Sequence, residues 1–99
     1  MEKKNIDWGN LGFGYVQTDQ RYVSLFKDGA WDEGKLTDDP NIVLNECAGV
    51  LQYAQTVFEG LKAYTTEDGH IVTFRPDLNA SRMKDSAARL EMPVFPEER

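Results

Sequence analysis

The sequence predicts an α+β fold, a mostly antiparallel sheet of hairpins with helices packed on it. Two segments rich in β-branched and aromatic residues are each interrupted by an Asp-Gly pair, at 28–29 and 68–69, which is typical of hairpin turns. A helical pattern begins only after them, at Pro76. Because the strand and helix signals are separated along the chain instead of alternating, we expect hairpins and not parallel crossover units.

Size and charge exclude some classes of function. The chain has 99 residues, of which 40% are hydrophobic and 28% charged, which is enough for one hydrophobic core and not for two. Eleven basic residues against seventeen acidic ones give a net charge of −6. Such an acidic chain is poorly suited to the phosphate backbone of a nucleic acid, and we expect no nucleic-acid partner.

The sequence gives no signal for a membrane, a disulfide or a metal. No segment approaches the roughly 18 consecutive apolar residues that a spanning helix needs. Two lysines near the start are not followed by an apolar stretch, so a secretory signal is not predicted and we expect a cytoplasmic location. The single cysteine, Cys47, excludes an intrachain disulfide, and with His70 alone it makes no metal site.

Residues 1–21 are predicted to form an extended arm. Its glycines follow the order Gly-x-x-Gly-x-Gly at 9–14, which differs from the order in dinucleotide-binding loops, and no strand pattern precedes them. We therefore interpret this segment as a flexible loop and not as a phosphate-binding loop.

The first hairpin is predicted from residues 22–27, the turn at 28–29 and a short strand at 30–33. Residues 34–40 are predicted as loop because Gly, Thr, Pro and two Asp fall within seven positions. The pattern of residues 41–55 is irregular, and we expect a short helical turn around Glu46.

The second hairpin is predicted from residues 56–64 and 71–74, with a turn between them. Alternation along the first strand puts two sets of side chains on opposite faces: Phe58, Gly60, Lys62 and Tyr64 on one, and Val57, Glu59, Leu61 and Ala63 on the other. Since both faces contain apolar residues, we expect this strand to be covered on both sides.

The helix is predicted to begin near Pro76 and to end before Pro93. Its apolar residues recur at spacings of three and four, as one buried face requires: Ala80, Met83, Ala87 and Leu90. Pro96 followed by two glutamates predicts the start of another helix, so we expect the chain to be the front portion of a longer protein.

Arg82 has two interpretations from its position in this helix. At the margin of the apolar stripe, its stem can lie along the core while its guanidinium binds an anion. Alternatively, the helix carries only weak surface pairs, Asp77 with Arg82 or Asp85 with Arg89. Spacing alone favours the surface pair, because such pairs are common on helices.

Two stretches resemble a known family. Residues 53–64 read YAQTVFEGLKAY and residues 74–83 read FRPDLNASRM. Together they resemble the small N-terminal domain of branched-chain amino acid aminotransferases, which are fold-type IV pyridoxal-phosphate enzymes. The likeness extends from the Phe13-Gly14 arm to Pro93, and it implies that residues 1–99 are the small N-terminal domain of a two-domain enzyme.

The resemblance implies roles for four residues. Arg82 resembles the arginine that holds the cofactor phosphate, which reverses the preference from spacing. Phe58 resembles the aromatic wall of the substrate pocket, and Tyr53 the tyrosine that reaches across the dimer interface to the neighbouring subunit's substrate. Phe13 resembles a further lining residue of the same pocket.

The resemblance also implies what the whole protein does. It leads us to expect pyridoxal 5'-phosphate as the cofactor and a homodimer active in branched-chain amino acid biosynthesis. The expected reaction interconverts leucine, isoleucine or valine and their 2-oxo acids, with 2-oxoglutarate and glutamate as the other pair. In the family, the Schiff-base lysine and the acidic partner of the pyridine nitrogen belong to a large C-terminal domain.

The chain itself has no equivalent of those catalytic groups, since none of its six lysines lies in a motif that replaces the family's lysine. We therefore expect no catalytic residue in this segment and no activity from it alone. Two relatives in the same superfamily, a D-amino acid aminotransferase and an aminodeoxychorismate lyase, fit less well because of the long arm and residues 58–62. A non-enzymatic acidic interaction module that keeps the half-fold is the alternative from another class.

Overall fold

A computed structural model of the chain describes residues 4–99 and confirms the predicted α+β class. The elements are a 3-10 turn (Trp8–Asn10), strands β1 (Arg21–Val23), β2 (Phe26–Lys27), β3 (Ala30–Trp31) and β4 (Lys35–Thr37), helix α1 (Gly49–Tyr53), strands β5 (Ala63–Thr65) and β6 (Ile71–Thr73), and helix α2 (Pro76–Arg89). The strands form three antiparallel pairs, β1–β4, β2–β3 and β5–β6. Within residues 4–99 these pairs form three separate two-stranded sheets.

The predicted arm at residues 1–21 is described from Lys4 onward, and its first three residues lie outside the described part. Every side chain from residue 4 to residue 20 is exposed. Asn10 Nδ2 donates to the Asp7 carboxylate at 2.6 Å, and Lys4 forms an ion pair with Asp19. These two contacts lie within the arm, and β1 begins at its last residue, Arg21.

The first predicted hairpin is present but is divided into two strand pairs. Its inner part joins β2 to β3 through Asp28 and Gly29, whose φ values of 53° and 82° are both positive, as in a type I′ turn. The interruption at Ser24 and Leu25 follows from Asp32. Its Oδ1 accepts hydrogen bonds from the Ser24 hydroxyl at 2.9 Å and from the Leu25 N–H at 3.0 Å, where a partner strand would otherwise pair.

The prediction of a loop at residues 34–40 is wrong at its centre, where β4 pairs with β1. Gly34 directs the chain into this strand with a φ of 73°, and a Cβ at this position would overlap the Tyr22 ring. Arg21 extends the pair, since its guanidinium donates to the carbonyls of Asp39 and Asn41 at 2.6 and 2.5 Å.

The predicted turn around Glu46 is present, and a short helix follows it. The Asn45 side chain accepts a hydrogen bond from the Cys47 N–H at 2.8 Å, and the Asn45 carbonyl accepts one from Ala48 at 2.9 Å. These bonds make a turn at the predicted position around Glu46, and α1 begins only after it.

The prediction of a strand at residues 56–64 is wrong over most of its length. Only β5 pairs with β6, across the predicted turn, and residues 54–62 have no regular structure. The physical reason lies in α2, whose Asn79 donates through Nδ2 to the Gly60 carbonyl at 2.9 Å. That carbonyl therefore bonds to the helix instead of to a neighbouring strand.

Helix α2 confirms the predicted helix, because it begins at Pro76 and ends before Pro93. Ala87 is buried, and Ala80 and Met83 are partly buried on the same face. Leu90 lies just past the helix and is 41% exposed, so it does not extend this face. In the described residues neither helix combines the length and the apolar character needed to span a membrane.

A Schellman motif ends α2. The Met92 N–H donates to the Ala87 carbonyl at 2.9 Å, and the Glu91 N–H donates to the Ala88 carbonyl at 3.1 Å. Glu91 has a φ of 56°, a left-handed conformation that usually favours glycine. The chain therefore turns away from the helix axis two residues before Pro93.

The C-terminal segment packs on β3. Trp31 Nε1 donates to the Val94 carbonyl at 2.9 Å, and the rings of Trp31 and Phe95 meet edge to face with centroids 5.0 Å apart. The helix predicted at Pro96 is only a single turn, in which the Arg99 N–H donates to the Pro96 carbonyl at 3.3 Å.

The described chain has almost no buried core. Among residues 4–99, Ala87 is the only fully buried hydrophobic residue. The Cα radius of gyration is 16.1 Å, against about 12.6 Å for a compact chain of this length. Most large apolar side chains therefore face outward, where another protein surface can cover them.

Candidate functional site

The candidate site lies where α2 meets the irregular segment before β5. Glu59 points from this segment to α2 and binds both Asn79 and Arg82. We call these three side chains the Glu59 network. Asn79 and Arg82 are three residues apart, so they lie on the same side of the helix one turn from each other.

Arg82 binds Glu59 through two parallel contacts. The Arg82 Nη2 group donates to Glu59 Oε2 at 2.7 Å, and Nε donates to Oε1. This two-point geometry fixes the plane of the guanidinium as well as its position.

Asn79 provides a second support for the same carboxylate. Its Nδ2 donates to Glu59 Oε2 at 2.8 Å and to the Gly60 carbonyl at 2.9 Å. The side-chain amide thus binds both the carboxylate and the backbone one residue further along. The segment carrying Glu59 is fastened to α2 by these contacts, although it belongs to no strand.

The electrostatics of the network follow from these bonds. Hydrogen bonds from Arg82 and then from Asn79 lower the pKa of Glu59 to about 2, although the limited solvent access of the carboxylate opposes this shift. The same contact raises the pKa of Arg82 above its ordinary value. Both groups are therefore charged throughout the neutral range.

Exposure differs sharply between the two partners. The Glu59 side chain is 10% exposed, whereas the Arg82 side chain is 68% exposed. The contacts to Glu59 use Nε and Nη2, and within residues 4–99 no acceptor bonds to Nη1. Arg82 consequently offers the Nη1 edge of its guanidinium to solvent or to a ligand.

Two other basic groups near Arg82, Arg75 at the start of α2 and Lys84 within it, have partners of their own. Arg75 binds Asp77 through Nε at 2.9 Å and Nη2 at 2.7 Å, which lowers the pKa of Asp77. Lys84 pairs with Glu97 at 3.0 Å. The surface pair considered between Asp77 and Arg82 is therefore wrong, because each residue has a different partner.

Phe58 stands beside the network on the exposed side. Its ring is 88% exposed, and a Cβ added to Gly60 would lie 3.6 Å from the ring edge. The edge of the ring therefore lies near the backbone at position 60, and the ring is otherwise open to solvent. Glu59 lies between the two and is turned toward α2, so one short segment presents an aromatic face and anchors a guanidinium.

Tyr53 and Phe13 are not joined to this cluster. Tyr53 is the last residue of α1 and is 86% exposed, and Phe13 lies in the arm and is fully exposed. In the part of the chain that the structure describes, neither ring is therefore packed against other residues. The backbone next to Tyr53 is nevertheless held in place by a hydrogen bond. Two residues later, Gln55 Nε2 donates to the Leu90 carbonyl at 3.0 Å and ties the end of α1 to the end of α2.

Sequence reasoning missed Glu59 and Asn79 as members of the site. A signal for Glu59 was present, since strand alternation put this carboxylate on the same face as Val57 and Leu61, and a charged group among apolar neighbours requires a partner. No comparable signal exists for Asn79, because an amide on a helix surface is ordinary.

Comparison with known proteins identifies several similar chains, although no protein-family model matches. The chain is 53% identical over 95 residues to a branched-chain-amino-acid aminotransferase of Haemophilus influenzae, which covers 96% of this chain and 28% of that protein. It is 45% identical over 95 residues to one of Helicobacter pylori, with the same coverage. A methionine aminotransferase of Arabidopsis thaliana is 49% identical over 90 residues, or 90% of this chain and 25% of that protein.

These similarities confirm the resemblance to branched-chain aminotransferases found in the sequence. The chain spans about a quarter of the length of these relatives. The region that these relatives share with the chain is therefore one segment of each larger protein.

Proposed function

We infer that the chain is the N-terminal small domain, residues 1–99, of a pyridoxal-phosphate-dependent branched-chain-amino-acid aminotransferase. The observation that carries this proposal is the 53% identity to such an enzyme over 96% of the chain. The whole protein then interconverts leucine, isoleucine and valine with their 2-oxo acids, using 2-oxoglutarate and glutamate as the second pair. Its role is in branched-chain amino acid biosynthesis, and its cytoplasmic location stays a prediction.

The donor set at Arg82 fits the phosphate of the cofactor. A phosphate dianion accepts hydrogen bonds through three oxygens, and the outward Nη1 edge supplies N–H donors and positive charge to it. Because Glu59 is bound at the opposite edge, the two anions do not compete for the same donors. When bound, the cofactor supplies the electron sink that amino-group transfer requires.

The reacting groups are expected in the large C-terminal domain. Among the six lysines, Lys84 already pairs with Glu97, and Lys4 pairs with Asp19 in the arm. We propose that this chain contributes binding and positioning, whereas the lysine that reacts with the cofactor lies elsewhere in the protein. The chain alone is then inactive.

Phe58 is proposed as the wall that receives the aliphatic side chain of the substrate. Its exposed ring, carried by the residue next to Glu59, supports this role, since apolar burial against an aromatic ring is the main source of affinity for such a side chain. One methylene in an apolar pocket is worth only about 1–3 kcal/mol. Weak discrimination among branched side chains, and tolerance of an unbranched one such as methionine, are therefore expected.

Tyr53 and Phe13 are proposed to complete this pocket only in the assembled enzyme. Both rings are almost fully exposed in the single chain, which supports contacts outside it. We propose that Tyr53 reaches the neighbouring subunit's substrate in a homodimer and that Phe13 lines the same pocket from the arm.

The test is the replacement of Arg82 in the full-length protein. Arg82→Ala is expected to weaken cofactor binding about ten- to a hundredfold, the range for losing a charge-assisted hydrogen bond. Arg82→Lys is expected to be intermediate, because it keeps the charge but loses the two-point contact to Glu59. The measurement is cofactor occupancy after dialysis, together with the dissociation constant from fluorescence titration of the cofactor-free protein.

Arg89→Ala is the matched control, because it removes the same side chain from the last turn of the same helix. It is expected to retain the cofactor as the parent protein does. An Arg82→Ala protein that retains the cofactor equally well would remove Arg82 from the binding site.

A further inference from the structure

The unequal exposure within the Glu59 network is unusual for an ion pair on a protein surface. Glu59 is 10% exposed and has Asn79 as a second donor, whereas Arg82 is 68% exposed. An ordinary surface pair leaves both side chains in water and fixes neither. Here Asn79 and Arg82 hold a carboxylate that has little contact with water, and the guanidinium extends from it toward solvent.

We propose that Glu59 is a positioning residue that holds the Arg82 guanidinium with its Nη1 edge directed at the cofactor phosphate. This inference rests on the proposed function, in which Arg82 is the phosphate ligand. Glu59 itself does not touch the phosphate. It acts through the Arg82 Nε and Nη2 contacts, which define the plane of the guanidinium.

A freely moving arginine would be a poor anion ligand at this place. Its side chain has several rotatable bonds, and ordering them on binding opposes association. The two contacts to Glu59 order the guanidinium before the ligand arrives. Such preorganisation raises affinity without any new contact to the ligand.

Asn79 completes the arrangement because it prevents Glu59 from turning toward solvent. Its Nδ2 holds Oε2 of the carboxylate and the Gly60 carbonyl together, so the carboxylate is fixed relative to the backbone of its own segment. The guanidinium is therefore aligned with α2 and with the segment that carries Phe58. Phosphate and substrate contacts would then keep a constant spacing.

Positioning and simple electrostatics predict opposite results for Glu59→Gln. Removing a negative charge close to an anion site strengthens anion binding if only Coulomb attraction matters. The same substitution leaves one acceptor oxygen in place of two, so the guanidinium plane is no longer fixed. The positioning role therefore predicts weaker binding, even though the site becomes more positive.

The experiment compares cofactor-free forms of the full-length parent protein and of Glu59→Gln, with Glu67→Gln as the matched control. Glu67 is exposed in the β5–β6 turn, and its replacement makes the same change in charge. The dissociation constant of pyridoxal 5'-phosphate is measured by fluorescence titration, and the phosphorus NMR resonance of the bound cofactor reports on its phosphate. Circular dichroism checks that each fold is unchanged.

We expect Glu59→Gln to raise the dissociation constant about tenfold, as loss of a supporting partner behind a ligand group does. The phosphorus resonance should move toward that of the free cofactor, and Glu67→Gln should change neither quantity. Asn79→Ala, which keeps both charges, should weaken binding by a smaller factor and provides the test if Glu59→Gln does not fold.

Unchanged or tighter cofactor binding in both Glu59→Gln and Asn79→Ala, with Arg82→Ala still weakening it, would overturn the positioning role and leave the proposed function intact. If Arg82→Ala also left the affinity unchanged, the proposed phosphate contact itself would fail.

Discussion

Residues 1–99 produced alone should not behave as an independent folded domain. An extended chain of 11.3 kDa exposes about 16,000 Å², and a compact monomer of that mass exposes about 5,700 Å². The chain as folded here exposes 9344 Å². It therefore buries only about two-fifths of its extended surface, whereas even a 60-residue domain buries about 60%.

The energetic consequence is large. The surface left uncovered, relative to a compact chain, is roughly 3,600 Å², and somewhat more than half of protein surface is apolar. At about 25 cal/mol per Å², the chain lacks apolar burial on the order of tens of kcal/mol that a compact domain of the same mass has. The chain alone should thus be loosely folded or should associate with itself.

The assay combines a dye that binds apolar surface with sedimentation velocity and thermal unfolding followed by circular dichroism. We expect strong dye fluorescence, concentration-dependent association and no cooperative transition, with the full-length protein as the control for each. Phe58→Ser should reduce the dye response, because this ring is 88% exposed. A monodisperse monomer that unfolds cooperatively and binds no dye would refute the surface argument.

Three further predictions concern single residues in the full-length protein. Phe58→Ala should raise the KM for leucine more than the KM for glutamate, because only the aliphatic side chain loses an apolar wall; equal changes in steady-state kinetics would mean that the ring serves the fold alone. Glu59 has a folded pKa of about 2 and an ordinary pKa of 4.5, so its ion pair contributes stability above about pH 4.5 that is lost as the pH falls toward 2. Glu59→Gln should therefore flatten the fall of Tm between pH 5 and pH 3, and an unaltered profile would contradict the low pKa. Glu91→Gly should raise stability by about 1 kcal/mol in denaturant unfolding, since Glu91 has a φ of 56°; a lower stability would show that the Glu91 side chain contributes more than its backbone strain costs.

The features that the sequence predicts correctly depend on interactions between neighbours in the chain. Helix α2 follows from apolar spacing, a proline at its start and an end before Pro93, and the β2–β3 turn follows from Asp28-Gly29, which adopts two positive φ values. The wrong predictions concern long-range pairing. Lys35–Thr37 forms a strand because it pairs with β1. The composition of residues 34–40 does not indicate this pairing, which depends on a segment elsewhere in the chain.

The segment around Glu59 shows why the site was harder to predict than the fold. Alternation from Val57 to Ala63 is a pattern that a strand would also produce, yet residues 54–62 form none, and the Gly60 carbonyl bonds to Asn79 of α2 instead of to a neighbouring strand. A strand here would use the Gly60 carbonyl in its ladder, and Asn79 would lose one of its two acceptors. The irregular backbone is therefore the arrangement that lets a single residue, Glu59, reach the helix while its neighbour Phe58 stays exposed. Local propensity for a strand and the requirements of the site conflict at this point, and the contacts of the site prevail.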